Sequence, residues 1–438
     1  MSPTVGIFPL LITYPVKQLY YYRFKQFEKW PQFKSSLLWG HLGHVGEAVK
    51  VGPPDRHIDF VFEEMRRKLG NPPALIFDLR PANKLLCIVA SHEIADLPKT
   101  PVEREFVPFL GHRPILTMQE TEWKQLRQRF NPAFSKSHVM TLMPFIMGQV
   151  SMFIDTLDSE VRRRRDCSFQ DTCGDLTLGV VGANNDDPTE MGEQKEIVQS
   201  FRDLHSSYAF DPNVPPIFTD PRARWHRNRM EKKLAKLVKD RTREVFARMK
   251  KDHEKHSTTQ RKSILVLTLQ TTDYFTPDIE EWVCDQFKLF MFAGFDTTSL
   301  LLAWLFYRLS LTAHALKAIR DDVMTSLARI PTCQLPKRRS SSPVETLGRM
   351  FYTSVVIKET LRLNPPAATS RTIPNGSNAF LRMPDVRDLF IDDLSVYNCH
   401  TILHRDDAIY GETKDDFIPE RWLPSNGDTK LGSEEVWL

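Results

Sequence analysis

The sequence is poor in several features that would have set its class at once. Its six cysteines (Cys87, Cys167, Cys173, Cys284, Cys333, Cys399) contain no Cys-x-x-Cys pair, so a disulfide framework is excluded and reducing surroundings are expected. No internal repeat is evident, which removes solenoids and propellers. The net charge is only +4 over 438 residues and singles out no class of partner. Glycine is scarce, 18 against 30 prolines, a balance that suits Pro-terminated helices and extended connections. The apolar run near the start, Val5 to Val16, is only 12 residues long and holds Pro9 and Pro15. A membrane span needs roughly 20 apolar residues. The run also has no basic leader and no clear cleavage site, so a signal peptide is not expected.

A core is nevertheless affordable: 41% of residues are hydrophobic, ample for a globular enzyme of this length. Tyr20 to Trp30 mixes aromatic and basic residues and suits either a membrane interface or a buried N-terminal element. Helical spacing marks 57–69, 121–130, 137–165, 196–208, 222–251, 276–311 and 346–364. Strand patterns mark 74–78, 85–90, 379–383, 389–391 and 395–397. Loops are expected at 184–194, 211–221 and 333–342. The expectation is a mainly α protein with a small β-sheet region (α+β), its sheet assembled from early and late strands. Residues 1–36 form a membrane-proximal segment and 37–438 a single domain. Two basic features carry no nucleic-acid signal. Arg162–Arg165 lacks interleaved aromatics, and Arg222–Lys251, with 13 Lys/Arg against three acids, keeps an apolar stripe of Met230, Leu234, Val238, Val245 and Met249.

The chemistry centres on Thr276 to Leu311, almost wholly apolar from Phe287 to Leu309 except for a notch, Gly294, Asp296, Thr297, Thr298 and Ser299. Polar groups inside such a helix are costly unless paired or functional. A helix-interior glycine costs about 1 kcal/mol and lets something large approach the backbone. A threonine bonding back to the i−4 carbonyl loosens the ladder. The notch is thus either a kink with satisfied hydroxyls or a proton-passing pair beside a ligand. Glu359 and Arg362 share a helical face, and their apolar flanks call for a buried pair with a third partner, which Arg421 can supply. Trp123 and Arg127, four apart, suit a carboxylate or propionate. Arg371 follows the Pro365-Pro366 extended segment and can face another acidic group.

Taken in order, these motifs resemble the cytochrome P-450 family of haem-thiolate monooxygenases, in particular its microsomal-type fungal members. AGFDTT (293–298) resembles the family's oxygen-activation motif. KETLRLNPP (358–366) resembles its Glu-x-x-Arg helix, and His404-Arg405-Asp406 with FIPERW (417–422) its approach to the haem loop. The resemblance implies haem as cofactor. It implies proton relay through Asp296 and Thr297, room for haem beside Gly294, and propionate contacts from Trp123, Arg127 and Arg371. It implies a structural lock of Glu359, Arg362 and Arg421. It further implies electrons from an NADPH-cytochrome reductase, an apolar small-molecule substrate, possible service in fungal secondary metabolism, and residence on the cytoplasmic face of the endoplasmic reticulum membrane. One departure bears on activity. The family's axial Cys stands in a Gly-rich loop after the Pro-Glu-Arg-Trp segment, and here the sixteen residues after Trp422 contain no Cys. The alternative expectation is therefore a truncated, catalytically inactive relative with no axial metal ligand.

Overall fold

The computed structural model describes residues 16–53, 56–95, 107–182, 191–207, 221–254, 269, 274–328 and 347–423. The apolar run at 5–15, the connection at 96–106, the expected loop at 333–342, and the end of the chain from 424 lie outside these residues, as do 184–190 and 211–220 of the loops expected at 184–194 and 211–221. Their remaining residues are helical instead, 191–194 opening the helix Met191–Ser207 and Pro221 the helix Pro221–Glu254. Two compact units are formed, each discontinuous in sequence: 1–104 with 210–220 and 367–414, and 105–209 with 221–366 and 415–438.

The first unit carries the sheet. Its helices α1 (Leu42–Val51) and α2 (Ile58–Lys68) precede strands β1 (Ala74–Asp78) and β2 (Leu85–Val89). Late in the chain come β3 (Thr369–Thr372), β4 (Phe380–Arg382), β5 (Asp388–Phe390) and β6 (Ser395–Asn398). The strand order β1-β2-β6-β3 joins early and late segments, with β2 and β6 parallel and the other pairs antiparallel; β4 and β5 form a separate hairpin. β1 is buried at every residue, as its unbroken apolar run requires of a strand covered on both faces.

The aromatic-basic N-terminal stretch divides. Tyr20, Tyr21 and Tyr22 are exposed, whereas Phe27 and Trp30 join the sheet's core. Arg23 is buried against Asp78 in a 2.6 Å ion pair and also donates to the carbonyls of Leu37, Leu38 and Arg80. One cation thereby fastens the turn at 37–40 to the end of β1. Buried charge of this kind is tolerated only when paired and hydrogen-bonded.

The second unit is helical: α3 (Val107–Leu110), α4 (Glu120–Phe130), α5 (Lys136–Thr141), α6 (Met143–Arg163), α7 (Phe169–Gly182), α8 (Met191–Ser207), α9 (Pro221–Glu254), α10 (Pro277–Leu311), α11 (Ala313–Ala328) and α12 (Phe351–Leu363). The single helix expected over 137–165 is broken at Leu142, with a bend of 69° between the 120–141 and 143–163 stretches. Pro144 explains the break, since proline cannot donate within a helix.

The central helix α10 begins with a Thr276 hydroxyl that accepts from the Ile279 amide, with Pro277 next, a standard N-terminal cap. Its burial is uneven. Trp282 to Gln286, Leu289 and Met291 are buried, while Trp304, Phe306, Tyr307 and Leu311 are exposed. By length and composition it is the one unbroken helix among the described residues apolar enough to cross a membrane; a core helix meets the same criterion.

Candidate functional site

In the notch of α10, hydroxyls bond back to carbonyls of the same turn. Thr297 Oγ1 donates to the Ala293 carbonyl at 2.7 Å, and Ser299 Oγ to the Asp296 carbonyl at 3.0 Å. From the neighbouring helix, Thr177 Oγ1 donates to the Phe295 carbonyl at 3.2 Å. Three carbonyls of one turn thus carry a second donor, an arrangement that competes with the i→i−4 ladder and loosens it. A hydroxyl that has given its proton to Ala293 still has lone pairs to accept a proton from elsewhere. The expectation of satisfied hydroxyls is met at this turn.

Asp296 is half-buried. Burial raises its carboxyl above the usual carboxylate range, and the nearby His205 offsets part of that rise. His205 Nε2 lies 3.7 Å from Asp296 Oδ1. Sequence reasoning missed this histidine, because ninety-one residues separate the two.

Gly294 also makes room for a neighbouring helix. A Cβ there would collide with Val181 Cγ2 of α7. Reciprocally, a Cβ on Gly174 of α7 would lie 2.9 Å from the Phe295 ring. Two glycines therefore let α7 and α10 pack closely, and the room made by Gly294 is occupied by α7.

On α4, Leu126 and Phe130 are buried; Phe130 stacks near Trp282 and meets Phe290 edge-on. This anchors α4 to α10 by its apolar face. Trp123 is half-buried and Arg127 exposed, and Arg127 makes no side-chain hydrogen bond or ion pair among the described residues. Its guanidinium keeps all its donors for an anion. Arg371, on β3 of the first unit, is half-buried and donates to its neighbour's carbonyl, Ser370 O, at 2.8 Å. It has no ion-pair partner among the described residues.

The lock forms as expected and has one more member. Glu359 and Arg362 are fully buried. Arg362 donates to both carboxylate oxygens of Glu359 at 2.8 and 2.9 Å, Arg421 Nε donates at 3.1 Å, and the Ile418 amide at 2.9 Å. Trp422 Nε1 adds a fifth bond at 2.9 Å. Arg362 also donates to the Asp416 carbonyl. The network ties α12 to the Pro-Glu-Arg-Trp turn, satisfying the condition for burying such charge.

A second, unforeseen polar cluster lies earlier on α10. Asp285 Oδ2 accepts from the amides of His112 and Arg113 at 3.0 and 3.1 Å. Gln286 accepts from the Ile115 amide and donates to the Arg113 carbonyl. These side chains clasp the segment that leads into α4. Gly111 is required there: its φ is +90° and any Cβ would collide with the Asp285 carboxylate.

Four of the described cysteines fit an iron ligand poorly. Cys87 and Cys399 are buried among apolar side chains, which pushes both thiols far up. Cys173 and Cys284 are pushed up to about 11 by burial. A metal-binding thiol needs the opposite environment. Cys167 is exposed just after α6.

Comparison with known proteins agrees with this geometry. The cytochrome P-450 family model matches residues 45–437, so the chain belongs to the cytochrome P-450 family, whose cofactor is haem. It is 26% identical over 350 residues to cytochrome P-450 monooxygenase acrF of Aspergillus aculeatus, covering 78% of this chain and 68% of that one. It is 24% identical to cytochrome P-450 monooxygenase polC of Polytolypa hystricis, covering 91% of this chain and 74% of that one. Similarity to rat cytochrome P-450 3A9 is 22%, over 72% of this chain and 62% of the relative. The haem domain of cytochrome P-450DA shares the fold, with a TM-score of 0.62 at 18% identity, over 90% of this chain and 82% of that one.

Proposed function

We propose that the chain carries the dioxygen-handling side of a monooxygenase site acting on an apolar small molecule, with electrons from an NADPH-cytochrome reductase. The carrying observation is the Thr297–Ala293 bond with the half-buried Asp296 beside it, in a turn where three carbonyls accept side-chain hydroxyls. When bound, haem supplies the activation of dioxygen and the oxidising chemistry. The chain's own residues do the rest. Asp296, with its carboxyl held above the usual range, holds a proton at Oδ1 or Oδ2 closer to working pH than an exposed aspartate does. Thr297 Oγ1, its O–H held by the Ala293 carbonyl, keeps its lone pairs to accept a hydrogen bond and so position a proton donor on the open side. Arg127 and Trp123 on α4 are donors suited to a haem propionate; Arg371, on β3 of the first unit, is by its own chemistry suited to one as well.

Kinship with monooxygenases named from two fungi supports a place in fungal secondary metabolism. Kinship with the mammalian relatives supports a microsomal setting on the cytoplasmic face of the endoplasmic reticulum. The segment 1–36, with its three exposed tyrosines, is then the part that approaches the membrane surface.

Testing starts with Arg127. Titrating haemin into the purified chain, Arg127→Leu is expected to weaken uptake by about tenfold, the worth of one charge-assisted pair. Uptake equal to that of the parent chain would remove Arg127 from the site.

A second reading is favoured by the cysteines: the 438-residue polypeptide binds without a thiolate and is catalytically silent. It rests on four of the described thiols being driven toward the protonated form by burial.

A further inference from the structure

Asp296 has one charged neighbour, and the surroundings of that neighbour are unusual. The His205 ring on α8 sits among four phenylalanines from three elements. Phe295 is edge-on at 5.0 Å between ring centroids, Phe109 of α3 and Phe292 lie at 6.1 Å, and Phe201 is stacked at 6.4 Å. Phe201 and His205 are one helical turn apart, so α8 presents both on one face. The Asp296 carboxylate lies at 3.7 Å, too long for a direct hydrogen bond and within ion-pair range. Neither ring nitrogen of His205 has a hydrogen-bond partner among the described residues. An imidazole of this kind, walled by rings, has a single polar group to answer to.

We propose that His205 is the positioning residue for Asp296: through this contact α8 orients the carboxyl and governs when it holds a proton. The inference rests on the proposed function for its purpose, but not for its physics. Other charges facing this region are already engaged. Arg202 of α8 pairs with Asp175 of α7, and Thr177 of α7 is spent on the Phe295 carbonyl. α3 and α8 otherwise offer Phe109 and Phe201, and α10 offers Phe292, Phe295 and Asp296 itself.

Burial lowers the imidazole's proton affinity and raises that of the carboxyl, while each charge partly offsets the other's shift. Both shifts work against the ion pair and narrow its advantage over the neutral pair. A proton leaves imidazolium Nε2 for Asp296 Oδ1, directly after a small approach or through one bridging water. The neutral imidazole regains a proton from solvent through its exposed edge, about a quarter of its side-chain surface (28%). Histidine suits this role because its ordinary pKa lies within working pH.

The test is a histidine titration by NMR on the full 438-residue chain, with the His205 signal assigned by its loss in His205→Phe. In Asp296→Asn the carboxylate is gone, and the apparent pKa of His205 is expected to fall further, by about one unit. Asp296→Glu is expected to restore most of that. The reciprocal measurement covers a variant that folds poorly: in His205→Phe the Asp296 carboxyl signal titrates at higher pH than in the parent. A His205 titration unchanged by Asp296→Asn, or an Asp296 titration unchanged by His205→Phe, overturns the inference. None of these measurements needs haem or turnover, so failure of the monooxygenase reading is read separately, in the haemin titration.

Discussion

Glu359 is the residue on which the helical unit places most weight. Its carboxylate accepts from Arg362, Arg421, Trp422 and the Ile418 amide with no exposure of its own. Glu359→Gln keeps the shape but removes the charge and sets an amide N–H against donors. Arg362 would remain fully buried without a counter-charge. The expected cost is about 3–5 kcal/mol, read as a lowered urea midpoint at unchanged slope. A loss within the scatter of surface substitutions would mean that the lock is ornamental. Of this network, the Glu-x-x-Arg pair and Arg421 were readable from the spacing and from the apolar flanks. Trp422 was not singled out, although it adjoins Arg421: an indole N–H reads as packing until a carboxylate is seen within reach. His205 was hidden for a related reason. A lone histidine in an amphipathic stretch announces nothing until phenylalanines from other elements close around it.

At the scale of elements, the packing of α7 on α10 depends on glycines placed opposite bulk. Gly294 admits Val181 and Gly174 admits Phe295. Gly294→Val is expected to force the two helices apart and cost about 1–3 kcal/mol, the usual range for overpacking. Gly148, in the middle of α6, is the contrast: nothing lies within 4 Å of its would-be Cβ. There Gly148→Ala is expected to stabilise by up to about 1 kcal/mol through helix propensity. Thermal unfolding of the two variants side by side checks the pair of signs. If Gly294→Val proved neutral, α7 would not be in close contact with the notch, and Gly294 would be left available to the haem as the motif implies. Sequence pattern located α10 and its notch, because a polar turn in an apolar helix is conspicuous. It did not reveal the clasp of Asp285 and Gln286 on the segment before α4. Those side chains bond to backbone amides, and no periodicity records which loop a helix will hold. The bend at Leu142 was missed although Pro144 marks it, because the apolar pattern continues across the break.

At the scale of the whole molecule, both units are built from distant parts of the chain. The sheet needs β2 and β6, with about 300 residues between them, so it closes only after a long loop has been ordered. Strand patterns in the sequence indicated this early-with-late pairing. Short β3, at Thr369–Thr372, was seen only as extended chain, since four half-buried residues offer no alternation to read. The family match over 45–437 makes haem the cofactor of the fold, and Asp296 and Thr297 on α10 are the residues proposed for its oxygen side. The thiols do not match them. Four of the described cysteines are driven toward the protonated form by burial, the reverse of what an iron-bound thiolate requires. We propose that this chain holds the dioxygen side of a P-450 site, and that none of the buried Cys87, Cys173, Cys284 and Cys399 is its axial ligand. The direct measurement is the carbon monoxide difference spectrum of the haemin-loaded, reduced 438-residue chain. The prediction is haem absorption without the thiolate band at about 450 nm. A band at about 450 nm would contradict it, and its loss in Cys399→Ser or another cysteine variant would name the ligand that the thiol environments argue against.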